Sequence, residues 1–304
     1  MKSASGGRCL GLWSGPVEEI HTPFCFISHF LKMKTLFSCF LCRPRMQAIF
    51  AGSGVELVAR NLWELSRDET QRDGIIAADG HVALIWLLRA GADSQTTAYA
   101  AAGLMSLSFQ SPERKLRLMQ AGVAPSVTAL LRAVPTPGNQ IAVAVLVSAT
   151  NLISNLAMSS AGLEAFPKAG AIAPLVSLLG AAPSVASAAA GALRNLSIDA
   201  EAKKPVNRDE ILEAGAVPPL VALLLGETAC NAASALCNLA SEAAGTAAVR
   251  SAGGIVPLVA LLHAADAKTA ENAAAALFNV SFDDNDQSHP AILAALAARP
   301  PPPP

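Results

Sequence analysis

The sequence predicts an all-α chain, an α-solenoid in which short helical units stack one on the next. Three observations predict it. The first is composition: 52% of the 304 residues are hydrophobic but only 5% aromatic, so the core must be built from Ala, Leu and Val. Ala is the best helix former, and small side chains let helices approach closely. The second is a Leu pair whose second member is Leu88, Leu131, Leu179, Leu224 and Leu262, recurring every 38 to 48 residues. The third is a polar position inside a small-residue segment, at Ser106, Asn155, Asn195, Asn238 and Asn279, the last four spaced 40 to 43 apart. Two unrelated marks in one register indicate repeated supersecondary units, none of which can bury its apolar face alone.

The stretch from Asn231 to Leu262 displays one unit boundary clearly. Ala229, Ala232, Ala233, Leu236, Leu239 and Ala240 fall at helical spacing and form an apolar face. Asn231, Ala235 and Asn238 form a neighbouring stripe. A short helix follows. Then Gly253-Gly254 suits a chain reversal, and Pro257 suits the first turn of a helix running to Leu262. The same scheme assigns the closing helix of each unit to AGLMSLS (102–108), TNLISNLA (150–157), AGALRNLS (190–197), ASALCNLA (233–240) and AAALFNVS (274–281).

In chain order, residues 1–50 stand apart as a non-repeat leader. Met1 to Gly15 is rich in Gly and Ser, and Phe24 to Cys42 is apolar but interrupted by His29, Lys32 and Lys34. Three readings of 24–42 stand side by side: a membrane-surface segment with Cys39 and Cys42 as lipidation candidates, a signal anchor, or a poorly ordered leader unrelated to the array. Residues 51–298 read as the array: a partial repeat over 52–78 containing the helix Val55 to Ser66, then about five repeats, then the start of a sixth. Asp199 to Asn207, with Pro205, reads as a polar insertion that protrudes as a loop, and no strand is expected anywhere. Near the end, Asp283 to His289 reads as a turn, Pro290 opens a helix, and 299–304 is a Pro tail.

The units AGAIAPLVSLL, AGAVPPLVALL and AGGIVPLVALL, each followed by a small-residue helix ending in ALxNLS or a variant, resemble armadillo repeats. LRNLSID (193–199) and ENAAAALFNVSFDDND (271–286) are most similar to the arrays of plant-type U-box/armadillo proteins. The resemblance implies three-helix units in a right-handed superhelix, with third helices lining a concave groove that binds an extended segment of a protein partner. It implies groove roles for Asn155, Asn195, Asn238 and Asn279. An amide has donors and an acceptor, so each could pair with both N–H and C=O of a peptide backbone. Ser106 and Glu64 depart from this pattern. Nuclear-import adaptors of this fold carry Trp four residues before the Asn; Asn151, Gly191, Ser234 and Ala275 stand there instead, which argues against nuclear-localisation signals as ligands. Asp199, Glu242 and Asp283 would favour basic partners, or simply cap helices and turns.

Net charge is −1, with no nucleic-acid footprint, although the first 50 residues are basic and the remainder acidic. Cys230 and Cys237 fall within a helix and read as small core residues. The five histidines are scattered, Cys39 and Cys42 form a lone CxxC, and no Gly-rich phosphate loop or nucleophile–base pair is visible. The expectation is a non-catalytic, cofactor-free adaptor acting on protein, with no small-molecule substrate. Its place is cytoplasmic, with nuclear or peripheral-membrane location as alternatives. Two further readings stay open: the substrate-recognition fragment of a U-box-type ubiquitin ligase, and a membrane-tethered armadillo adaptor.

Overall fold

A computed structural model describes residues 53–132, 138–199, 204–205, 207–282 and 288–298. Residues 24–42, with Cys39 and Cys42, and the Pro tail lie outside the described residues. The described residues form one compact unit. It is an α-solenoid in which helices recur in threes.

The first helices of the complete units are α2 (Glu69–Ala77), α5 (Pro112–Gln120), α8 (Ser160–Lys168), α11 (Arg208–Glu213) and α14 (Ala243–Ser251). The second helices are α3 (Gly80–Leu87), α6 (Val123–Leu131), α9 (Ile172–Leu178), α12 (Val217–Leu223) and α15 (Ile255–Leu261). The third are α4 (Gln95–Leu107), α7 (Gln140–Leu156), α10 (Pro183–Leu196), α13 (Ala229–Leu239) and α16 (Ala267–Ser281). A helix α1 (Ser53–Arg67) precedes them and packs along α4 as a third helix, and α17 (Ser288–Ala297) follows, against α15 and α16. Because α2 packs on α5 as one first helix on another, it opens the first complete unit. The partial repeat is therefore α1 alone, shorter than the 52–78 expected from sequence. The helix at Pro290 does form, starting at Ser288.

Local chemistry sets these boundaries. Asp68, Ser111 and Ser159 cap first helices by accepting the backbone N–H of Thr70, Arg114 and Gly162. The reversal between first and second helices needs a left-handed residue. Gly122, Gly170, Gly215 and Gly253 supply it at φ 75°, 69°, 76° and 72°, and Asp79 takes the same role at φ 58°. Where the sequence predicts only a loop, Ile198–Asp199 pairs antiparallel with Lys204–Pro205. The expectation of no strand is thus corrected by one two-residue ribbon, made by backbone pairing that no side-chain pattern announces.

The core runs the length of the unit as a seam rather than a ball. Leu88, Leu131, Leu179 and Leu224 are each no more than 3% exposed, and the Ala229, Ala232, Ala233, Leu236, Leu239 and Ala240 face is buried as expected. Successive third helices pack side by side from α1 through α16. First helices press against the ends of third helices so closely that only Gly fits at two points. A Cβ on Gly162 would lie 2.1 Å from the Leu156 carbonyl oxygen, and one on Gly245 would lie 1.8 Å from that of Leu239.

Two predictions follow from this packing. Gly245→Ala should destabilise the array by about 2 kcal/mol or more, because the clash is with backbone and cannot be relieved by a rotamer change. Gly74→Ala, where nothing lies within 4 Å of the new methyl group, should stabilise it by roughly 0.5–1 kcal/mol. Denaturant titration of the two variants checks both signs. The second concerns His81, which is 5% exposed with no hydrogen-bond partner for Nδ1. Burial holds its imidazole below the ordinary value of 6.5; Arg117 acts in the same direction and Asp79 opposes. The unfolded chain then takes up the proton first as pH falls, so this contribution to stability is lost below about pH 6.5. Melting temperatures of wild type and His81→Gln between about pH 7.5 and 5.5 should differ in slope, with the wild type steeper.

Candidate functional site: the third-helix face

Each third helix buries two of its sides and leaves one polar stripe in partial contact with solvent. On α10 the stripe is Ser187, Arg194 and Asn195; on α13 it is Asn231, Ser234, Cys237 and Asn238; on α16 it is Asn272, Ala275, Phe278 and Asn279. The stripes lie side by side because the helices do. Asn155, Asn195, Asn238 and Asn279 all fall on this face, half-buried.

What the four amides do differs from the expectation that both their polar ends are free for a ligand. Each reaches back to the preceding third helix. Nδ2 of Asn195 donates to the Ser154 carbonyl at 2.8 Å and to Ser154 Oγ at 2.9 Å. Asn238 donates to the Arg194 carbonyl and to Ser197 Oγ, both at 3.0 Å. Asn279 donates to the Cys237 carbonyl at 2.8 Å, and Asn155 to Ser108 Oγ at 3.0 Å. Backbone carbonyls only accept, which fixes the amide orientation in three of the four cases. Asn195 and Asn238 therefore have both amide hydrogens engaged, and their donors are not available to a partner. The oxygens are another matter. No described residue donates to Oδ1 of Asn155, Asn238 or Asn279.

A second row runs parallel, seven residues earlier. Asn231 donates to the Ser187 carbonyl at 3.2 Å, and Asn272 to the Cys230 carbonyl at 3.2 Å. The sequence shows Asn231 on the Asn238 stripe, but Asn272 goes unremarked there. Its signal is the spacing of seven, which returns a side chain to the same face after two turns. Cys230 and Cys237 are half-exposed rather than core residues, because they occupy the solvent stripe where the next helix's amide approaches. Burial pushes the Cys237 thiol above its ordinary 9.0 and Arg208 opposes this, so it is a thiol at neutral pH.

The rungs are unevenly distributed. Ser106 bonds back to its own helix at the Ala102 carbonyl, and Glu64 pairs with Arg60 at 3.0 Å, so neither crosses to a neighbour. At that end Trp63 of α1 and Tyr99 of α4 bring their rings within 5.2 Å, an apolar substitute for an amide rung. At the opposite end Phe278 and Phe282 pack edge-to-face at 4.7 Å while remaining 63% and 69% exposed. Among the acidic residues proposed to set charge, Glu242 is held by the buried Arg208 at 3.2 Å; the side chains of Asp199 and Asp283 lie outside the described residues. Arg194 was not anticipated. Its Nε donates to Asn195 Oδ1 at 3.0 Å and its Nη1 to Asn231 Oδ1 at 3.1 Å, so one guanidinium joins both amide rows.

Among the described residues no three His, Cys, Asp or Glu side chains gather as metal ligands would. A shallow cavity of about 300 Å3 lies between α11, α12 and α14, lined by residues such as Leu212, Val217, Pro218 and Ala248, with no titratable group on its wall. No single described helix is long and apolar enough to cross a membrane.

The interhelix bonds set what the amide substitutions should do. Removal of a net hydrogen bond costs about 1 kcal/mol, and more where a buried carbonyl is left without its donor. Asn195→Ala with Asn238→Ala should therefore lower stability by roughly 2 kcal/mol, a sum that holds only if the two interfaces are independent. Thermal melting monitored by circular dichroism tests it, and an unchanged midpoint would contradict the rungs.

Three successive stretches, 160–198, 204–241 and 243–282, match the Armadillo/beta-catenin-like repeat. Junction plakoglobin of Homo sapiens and of Mus musculus are each 30% identical over 225 residues, covering 66% of this chain and 29% of the relative, so the chain spans well under half the length of these relatives. Among solved structures, a chain from the crystal structure of computationally designed armadillo repeat proteins for modular peptide recognition superposes with TM-score 0.62 at 26% identity, covering 73% of this chain and 91% of that one. A second designed armadillo repeat protein superposes with TM-score 0.65 at 23% identity, over 84% of this chain and 99% of its own. With the three-helix periodicity and the serial packing of third helices, these likenesses identify the three units matched over 160–282 as armadillo repeats and give the remaining units the same fold.

Proposed function

We propose that the array is a non-catalytic scaffold that binds an extended segment of a protein partner along its third-helix face. The observation that carries this is the row of amide oxygens on Asn155, Asn238 and Asn279. Each is held in place by its own interhelix bond yet has no donor from a described residue. Such an oxygen accepts the N–H of an extended backbone without reading its side chain, while pockets and patches between rungs select side chains. The interhelix bonds make the acceptors preorganised, which lowers the ordering cost of binding. The armadillo repeats and the peptide-recognition role of the designed relatives support the reading. We place its action in the cytoplasm.

Two narrower readings attach to this one. Similarity of LRNLSID and ENAAAALFNVSFDDND to plant-type U-box/armadillo arrays favours a substrate-recognition fragment of a ubiquitin ligase. The full chain is expected to show no ubiquitin transfer with a generic conjugating enzyme. Membrane tethering would depend on Cys39 and Cys42, and loss of membrane-fraction protein on replacing both with Ser is its test.

Ser234 and the exposed Ala275 lie between the rungs and hold nothing in place. Ser234→Trp or Ala275→Trp should therefore block the face without lowering the melting temperature. Peptides selected on the full chain from a random display library should lose at least tenfold in affinity for the Trp variants, about 1.4 kcal/mol. Peptides that bind both variants as tightly as wild type would place recognition elsewhere on the molecule.

A further inference from the structure

We infer that the bound segment carries an acidic side chain seated on Arg194 and, about six residues away, an apolar or aromatic side chain seated on the Phe278–Phe282 pair. This rests on the third-helix face being the binding surface and specifies what that face selects.

The first half comes from charge. Within α7, α10 and α13 the sequences carry no Asp, Glu or Lys, and Arg194 is the one Arg. It lies on the solvent stripe, half-buried, and no described carboxylate stands within ion-pair distance. Its own contacts are two neutral amide oxygens, on Asn195 and Asn231. They orient the guanidinium without neutralising it. The remaining N–H groups have no partner among the described residues and suit the planar fork of a carboxylate. The nearby basic group, Arg208, already has Glu242. The middle of the face is thus a fixed cation among neutral amides, compensated by no described carboxylate, and it selects against the basic segments that Asp199, Glu242 and Asp283 suggested. Side-chain entropy, which ordinarily limits exposed ion pairs, is reduced because both amide rows already hold the side chain.

The second half comes from exposed apolar surface at the matching position. Arg194 stands one residue before Asn195, and Phe278 one residue before Asn279, so the two occupy the same register two helices apart. Neighbouring helix axes lie about 8–10 Å apart, which puts the two roughly 20 Å from each other along the face. An extended chain rising about 3.3 Å per residue spans that in about six residues. Phe278 and Phe282 stay largely exposed despite packing on each other, forming a ready surface for an apolar side chain. The position between them on α13, Cys237, is small and donates no charge.

A random dodecapeptide library displayed on phage and selected against the full-length chain tests this. Enriched peptides should share an Asp or Glu and, about six positions away in either chain direction, a large apolar residue. Replacing the acidic residue by its amide should weaken binding about tenfold on wild type and leave binding to Arg194→Gln unaffected. Phe278→Ala should remove the preference at the apolar position and keep the acidic one. Circular dichroism of both variants verifies that the helices are retained. Binders without an acidic position, or an acidic preference surviving in Arg194→Gln, would overturn the inference while leaving the face as the binding surface, provided that Ala275→Trp still blocks them. Selected peptides indifferent to Ala275→Trp would instead overturn the proposed binding face, and this inference with it.

Discussion

The contact between one third helix and the next is what the remainder of the array depends on. No unit encloses its own apolar surface, so each must be closed by the following one, and the closure runs through α1, α4, α7, α10, α13 and α16. Two chemical means make the contact close and specific. Small residues let the backbones approach: a Cβ on Gly103 would already stand 3.5 Å from the Trp63 Cα, and one on Gly191 equally far from Asn231 Nδ2. Amides then reach across to backbone carbonyls and pin the register. An apolar seam of Ala and Leu is nearly featureless and could slide; an amide that must meet one carbonyl cannot, without leaving a half-buried polar group unpaired.

The same amides line the face on which we propose that a partner binds. Because the NH2 end is used between helices, the oxygen end is presented at a fixed position and angle. On the proposed reading, stability and recognition are two ends of one functional group, and substitution of these residues touches both. The aromatic ends fit the same picture. Where rungs are missing, between α1 and α4, the Trp63–Tyr99 contact takes their place. On α16 Phe278 and Phe282 are largely exposed. Arg194 breaks the neutrality of the centre, and it does so from within the ladder, held by two of its amides.

First helices serve the ends of the third ones. The last carbonyls of a helix lack internal donors and carry partial negative charge. Arg72 donates to the Ser66 carbonyl, Arg114 to those of Leu107 and Phe109, Asn207 to that of Leu196 and Thr246 to that of Ala240. Different residue types thus solve one recurring problem. The contacts crowd the first helix onto the third so tightly that Gly162 and Gly245 have no room for a side chain.

The helical units and the polar stripe could be read from the sequence, because they rest on spacing, while their threefold grouping was implied by the resemblance to armadillo repeats. Apolar periodicity reports which face a helix buries, Gly after Ala reports a left-handed turn, and an Asn recurring every 40 to 43 residues reports a shared role. Spacing says nothing about direction. That Asn195 and Asn238 turn their donors toward the preceding helix and not toward solvent was decided by which carbonyls tertiary packing brought within 3 Å. For the same reason Cys230 and Cys237, which look like core residues from their place within a helix, are half-exposed; Glu242 is claimed by Arg208 from another helix; and Arg194 is lifted from an ordinary basic residue near a helix end to an oriented cation on the central face. Each of these depends on partners 34 to 44 residues away in the chain, a distance over which a pattern of residue types cannot specify contact geometry and only the packed helices can.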